Sequence, residues 1–255
     1  MIEEILTEAN PQNILEIGVE SGKVSRKLFD WVKKNNAKLY SIDPSDLDGE
    51  RIIDEDFVRI YNSSLSDYVK PLLKSADICI IDGDHNWYTV YNELKLIYEG
   101  RTQEKLPIVF LHDVSWPCAR RDQYYYPESI PALFRHDHSF TAGIKPGFSG
   151  VFNNRGFRGN GSWAVALKEG GQKNGVLTAI EDFLMGIELD IKFRKIDMFC
   201  GLGILYYSEN STDNYEKIID VYYSPYLEEM ERNRMDNYIR VLDLQDNINS
   251  LKKAT

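Results

Sequence analysis

The stretch Ala76-Asp77-Ile78-Cys79-Ile80-Ile81-Asp82-Gly83-Asp84-His85 constrains the fold more than any other part of the chain. A short, unbroken apolar run suits a strand buried on both faces, as in a parallel sheet under helices. Gly83 permits a sharp turn, and Asn86-Trp87-Tyr88 begins a helical pattern. A second run, Pro107-Ile108-Val109-Phe110-Leu111, leads into His112-Asp113. Ligands of open α/β sheets bind outside the carboxyl ends of the strands. Asp82, Asp84, His85, His112 and Asp113 are therefore expected to meet in one crevice.

Strands alternate with helices around these runs. Asn13–Ile17 reads as a first strand, followed by a helix that Ser21 can cap and whose apolar face uses Val24, Leu28, Phe29 and Val32. Lys38–Asp43 reads as a second strand and residues 57–61 as a third. Leu65 to Lys74 reads as a helix, and Tyr88–Tyr98 as another between the two apolar runs. This succession means βαβ units and a parallel sheet. After Asp113 the rhythm breaks. Residues 115–174 are rich in Gly, Pro, Arg and aromatics, the pattern of a lid or binding loop. A helix resumes at Asn174, two strands follow at Asp190–Ile196 and Leu202–Tyr207, and Pro225–Lys253 reads as a long helix. Its Val241, Leu244, Ile248 and Leu251 alternate by three and four, a short coiled-coil-like seam. That seam packs either on its own domain or on a second subunit.

Composition narrows the classes. A net charge of −10 over 255 residues argues against a general nucleic-acid binder. The three cysteines, Cys79, Cys118 and Cys200, form neither a disulfide framework nor a zinc motif and point to a reducing compartment. The N-terminus lacks signal-peptide features, and no apolar run approaches a membrane span. The expected location is the cytoplasm.

The segment Glu16-Ile17-Gly18-Val19-Glu20-Ser21-Gly22 lies between the first strand and its helix. Gly18 and Gly22 let the backbone turn tightly and approach a ligand. Glu16 stands where a dinucleotide fingerprint has its first glycine. A carboxylate there repels a pyrophosphate but can accept from an ammonium group. Asp43, ending the second strand, is placed to bind two ribose hydroxyls. The alternative is a glycine-rich turn with nothing bound. Asp82 and Asp113 are hard oxygen ligands that suit Mg²⁺. A metal there lowers the pKa of a bound hydroxyl, and His85 can take the proton.

The pattern Glu16-x-Gly18-x-x-x-Gly22 followed by Asp43 resembles class I S-adenosylmethionine-dependent methyltransferases. In that family the glycine loop approaches the methionine part, the strand-two acid binds the ribose, and the region of Ser63 and Ser64 flanks the adenine. Asp82-x-x-His85 with His112-Asp113 is similar to metal-assisted O-methyltransferases of small molecules, including macrolide sugars. Catechol O-methyltransferases are more distant relatives. The resemblance implies Asp82 and Asp113 as metal ligands and His85 as base. His112 stands where that family often has an acid, and Asp84 is then a further candidate ligand. His112-Asp113-Val114-Ser115-Trp116-Pro117, Arg120-Arg121-Asp122, Tyr124-Tyr125 and Asn174-Gly175-Val176 resemble bacterial methyltransferases of surface-glycan gene clusters.

The resulting expectation is a doubly wound, seven-stranded Rossmann-like methyltransferase sheet, with strand order 3-2-1-4-5-7-6 implied by the resemblance. Residues 1–208 form the methyltransferase domain, with 115–174 as an acceptor lid, and 209–255 a C-terminal helical extension. The expected catalytic set is His85, Asp82 and Asp113, with His112 as a further metal ligand. The cofactor set is Glu16, Gly18, Ser21, Gly22, Asp43, Ser64 and Asp82. The acceptor set is His112, Trp116, Arg120, Arg121, Tyr124 and Tyr125, since guanidinium forks suit anions and aromatic faces suit sugar rings. The expected reaction is methyl transfer from S-adenosylmethionine, with Mg²⁺, to an oxygen of a sugar or phosphorylated intermediate. Expected partners are that small acceptor and a second copy through the C-terminal helix. The rivals are an NAD(P)-dependent Rossmann oxidoreductase and a non-catalytic partner of a glycan-modifying enzyme.

Overall fold

Side chains along a strand point alternately to opposite faces, and here that period of two divides the core into two layers. In a computed structural model, which describes residues 1–45, 54–100, 107–207 and 213–254, the first apolar run is strand β4 (Ile78–Ile81) and the second β5 (Ile108–His112). Cys79, Ile81, Val109 and Leu111 face one layer, under helices α3 (Lys70–Leu73), α4 (Trp87–Gly100) and α5 (Val176–Met185). Ile78, Ile80, Ile108 and Phe110 face the other, under α1 (Ile2–Ala9), α2 (Lys23–Asn35) and α6 (Asp213–Tyr222). Burial on both faces explains why neither run alternates with polar residues.

The sheet also holds β1 (Asn13–Ile17), β2 (Lys38–Ile42), β3 (Phe57–Ile60), β6 (Ile191–Ile196) and β7 (Leu202–Tyr207). Its order is β3-β2-β1-β4-β5-β7-β6. Only β7 runs antiparallel, pairing with β5 on one side and β6 on the other. This is the doubly wound order expected of a class I methyltransferase sheet. The reversal of winding falls between β1 and β4, which pair directly, the position at which open α/β sheets bind ligands.

Two helices differ from their sequence patterns. The pattern over Leu65–Lys74 condenses to four residues, Lys70–Leu73. Pro71 has no N–H for an interior helical bond, so it tolerates only the first turn. Upstream, Val69 bonds back to Ser66 in a turn instead. Ser21 does not cap α2. Gly22 is the N-cap, with φ +72°, and no side chain bonds the exposed N–H groups.

The insertion is more ordered than its composition suggests. Gln123–Tyr124, Ala164–Ala166 and His138–Ser139 make a small antiparallel sheet. Buried Asp122 gathers it by accepting from Trp87 N (2.8 Å), Gly175 N (2.6 Å) and Tyr124 Oη (2.8 Å). Helix α6 belongs to the sheet's helical layer, since Ile219 is fully buried in it.

Helix α7 (Pro225–Ala254) spans 30 residues. One face rests on the chain's own insertion. Asp246 pairs with Arg158 (2.6 Å), Asp243 with Lys145 (2.5 Å), and Met235 and Ile239 are buried. The seam Val241, Leu244, Ile248 and Leu251 stays exposed. No helix among the described residues is long and apolar enough to cross a membrane.

Candidate active site

Ile81 pairs with Leu111 across β4 and β5, so the next residues, Asp82 and His112, lie side by side at the carboxyl edge. His112 Nδ1 lies 3.2 Å from Asp82 Oδ1 and 2.9 Å from Asp113 Oδ2. His85 arrives from the turn after β4 and places Nδ1 3.4 Å from the same Asp113 oxygen. Four predicted residues thus form one row, Asp82–His112–Asp113–His85. Asp113 is held at φ +60°, a conformation that non-glycine residues rarely adopt and that clusters at functional sites.

The electrostatics follow from this row. Burial works against a charge on His112, but the hydrogen bonds and charges of Asp113 and Asp82 outweigh it and push its pKa up to about 10. Burial alone would raise the Asp113 carboxyl. His85, His112 and the Cys200 thiol together hold it below the ordinary value. Asp82, His112 and Asp113 offer three ligand atoms within 4.8 Å of one another, a spacing that one cation can bridge. Asp113 Oδ2 thus faces the Nδ1 atoms of both imidazoles. The Tyr125 ring tilts over His85, with centroids 6.1 Å apart.

Asp84 does not join the row. It is turned inward, where it accepts from Asn86 Nδ2 (2.5 Å) and Thr89 Oγ1 (3.1 Å). Burial raises its carboxyl pKa despite these bonds.

The glycine loop lies directly behind Asp82. Asp82 N donates to Ile17 O (2.8 Å). A Cβ on Gly18, whose φ is +85°, would sit 2.0 Å from the Asp82 carbonyl oxygen, so only glycine fits. Asp43 braces the loop: Oδ2 accepts from Val19 N (2.9 Å) and Oδ1 from Ser45 N (2.8 Å). Each oxygen keeps a lone pair for a further donor. Glu16 is buried on β1, where Oε2 accepts from Ser25 Oγ (2.6 Å) and Ser41 Oγ (2.5 Å). Its Oε1 is buried without a partner. Such an oxygen is costly unless a donor reaches it, and a ligand ammonium is one. Burial raises the Glu16 carboxyl pKa, against the two serines and Arg59. Ser21 is exposed beside the loop, whereas Ser64 is buried next to Glu93.

Residues 15–114 match a family model described as a methyltransferase domain. That span holds the whole loop, Asp43 and the row at the strand ends, on the sheet order already described. The stretch that resembles a methyltransferase domain is thus the stretch that carries the candidate site. No curated protein matches the chain by sequence. Among solved structures, the chain resembles the SAH-bound methyltransferase PaMTH1 of Podospora anserina at 14% identity and TM-score 0.46, covering 81% of this chain and 76% of that one. It also resembles a Staphylococcus aureus protein assigned as a caffeoyl-CoA O-methyltransferase, at 12% identity and TM-score 0.43, covering 81% of each. An Mg–SAM form of CmcI is similar over 44% of this chain and 50% of that one, at 19% identity and TM-score 0.33.

Apart from His112, the acceptor candidates lie outside the matched span and divide into two groups. Tyr125 is partly exposed over His85. Trp116 packs on Phe157 (5.7 Å between centroids), with its indole nitrogen buried and unpartnered. Arg121 and Tyr124 are turned inward. Arg121 is 1% exposed and donates to the carbonyls of Ala166 (2.6 Å), Ser149 (2.8 Å) and Gly150 (3.1 Å). Tyr124 is fully buried on Asp122. Arg120 forms a two-pronged pair with Glu181. Sequence reasoning missed Ser25 and Ser41 under Glu16, and Cys200 beside Asp113. Isolated serines and a lone cysteine carry no spacing signal that would have singled them out.

Proposed function

We propose that this enzyme transfers the methyl group of S-adenosylmethionine to a hydroxyl oxygen of a small acceptor, assisted by Mg²⁺. The observation that carries the reading is the Asp113 carboxylate held between His85 and His112, beside Asp82 and against the cofactor loop. Glu16, Gly18, Gly22 and Asp43 would hold the cofactor, and Asp82, His112 and Asp113 the metal. When bound, the cofactor supplies an electrophilic sulfonium methyl and Mg²⁺ a charge that favours an ionised acceptor oxygen. His85 Nε2 takes the hydroxyl proton as the oxygen attacks, and Asp113 stabilises the imidazolium that forms. The carboxylates that raise the His112 pKa also suit a divalent cation, which would take the place of the His112 proton.

The acceptor reading is a sugar of surface-glycan or secondary-metabolite synthesis in the cytoplasm. It is supported by the sequence resemblance and by the exposed Tyr125 ring at the base. Arg120 and Arg121 are already committed to Glu181 and to backbone carbonyls, which favours a neutral hydroxyl compound over a phosphorylated one. A second copy is the proposed macromolecular partner, through the exposed seam of α7. Val241 and Ile248 at one heptad position with Leu244 and Leu251 at the other are the residue types of a two-stranded pairing.

The test incubates the protein with S-adenosylmethionine and hydroxyl-bearing sugar nucleotides and seeks a product heavier by one methylene. Chelation should abolish turnover, and added Mg²⁺ should restore it. Asp82→Asn should lose turnover while keeping affinity for S-adenosylhomocysteine. Full turnover after exhaustive chelation supports a second reading, which the imidazolium character of His112 favours: a metal-free site with His85 as sole activator.

A further inference from the structure

The hairpin turn between β6 and β7 lies against the candidate site, because Leu202 pairs with His112 at the end of β5. Three of its five residues, Phe199, Cys200 and Gly201, have positive φ, at +49°, +68° and +87°. Two of them carry side chains, so the turn is strained and something must hold it. It docks on the chain just beyond Asp113. The Cys200 carbonyl accepts from Ser115 N at 2.7 Å, which fixes the chain two residues beyond Asp113. A Cβ on Gly201 would lie 2.6 Å from Ser115 N, so this docking admits no side chain there.

What holds the turn comes from α7. Glu231 Oε1 accepts from Cys200 N at 3.0 Å. Arg234 holds Glu231 in place with Nε (2.7 Å) and Nη2 (2.5 Å), and its guanidinium lies 5.6 Å over the Phe199 ring. The Glu231 side chain is 12% exposed. Both residues lie far outside the span 15–114 that matches the methyltransferase domain.

We propose that Glu231, braced by Arg234, is a positioning residue for Asp113: it stabilises the Phe199–Gly201 turn that seats the Asp113 carboxylate between His85 and His112. The inference rests on the proposed role of Asp113 in methyl transfer. It assigns the C-terminal helix a part in setting the site as well as in packing.

The test uses the full chain and has a readout that needs neither metal nor acceptor. The sequence has four histidines. In a histidine-labelled NMR spectrum at fixed pH, Glu231→Ala should move the ring resonances of His85 and His112 and leave His136 and His138 in place. Mn²⁺ affinity should fall about 10–100-fold, the usual cost of removing a residue that supports a metal ligand. Affinity for S-adenosylhomocysteine should not change. Glu231→Gln keeps an acceptor oxygen for the turn and should restore most of both effects. Should Glu231→Ala not fold, Arg234→Lys decides the matter, with a smaller shift of the same two rings expected. Unmoved His85 and His112 resonances in a folded variant overturn the proposal. So does a uniform shift of all four histidines with loss of both ligands, which marks a merely structural role. A wild-type protein that binds no Mn²⁺ removes the metal from the proposed function, while the ring resonances still decide the positioning.

Discussion

His85 Nδ1 and Asp113 Oδ2 lie 3.4 Å apart, although one residue follows β4 and the other β5. A carboxylate that holds one imidazole nitrogen leaves the other poised as a base. His85→Ala should therefore lower kcat by about 10²–10⁴-fold with cofactor affinity unchanged. Residual activity should rise with pH, as the acceptor hydroxyl ionises without help. Steady-state rates across pH check this, and wild-type turnover would remove His85 from the chemistry.

Asp43 spends one lone pair of each oxygen on the loop and has others for a ribose. Asp43→Ala should weaken S-adenosylmethionine binding by about 1.5–3 kcal/mol, the range for hydrogen bonds to a charged group. Titration calorimetry on the folded variant measures it directly. Unchanged affinity would place the ribose elsewhere.

Glu93 is fully buried on α4, where burial pushes its carboxyl pKa up to about 8 from an ordinary 4.5, only partly opposed by the Ser64 hydroxyl. The folded state therefore holds this proton more tightly than the unfolded chain does. The stabilisation is complete below pH 4.5 and is lost as pH rises toward 8. Between those limits Glu93→Gln should gain on the wild type by about 2–4 kcal/mol, at roughly 1.4 kcal/mol per pH unit less relaxation. Urea unfolding at several pH values gives the difference, and a pH-independent offset would contradict it.

The α7 seam faces away from the residues that anchor the helix, Met235, Ile239 and Asp246. If two copies pair through it, Leu244→Lys with Ile248→Lys should convert a dimer to a monomer in sedimentation velocity. Thermal stability of the separated chain should hardly change, because both side chains are already exposed. A wild-type chain that stays monomeric would end this reading.

The sequence by itself determined the layering and the edge at which the titratable row gathers. Apolar runs at Ile78–Ile81 and Ile108–Phe110 report burial on both faces, and acids that follow such runs must emerge at the carboxyl edge. The glycines of the loop were equally legible, because Gly18 answers a steric demand that no other residue meets. Tertiary structure alone decided which way the polar residues beyond Asp113 turn. Arg121 and Tyr124 have the composition of an acceptor clamp yet spend themselves on buried carbonyls and Asp122. A side chain's type states which bonds it can make, whereas its partners depend on chain segments that only folding brings near. Asp113, Cys200 and Glu231 make the same point. They are distant along the chain and share no periodic pattern, and they meet because β7 pairs with β5 and α7 crosses the turn between β6 and β7.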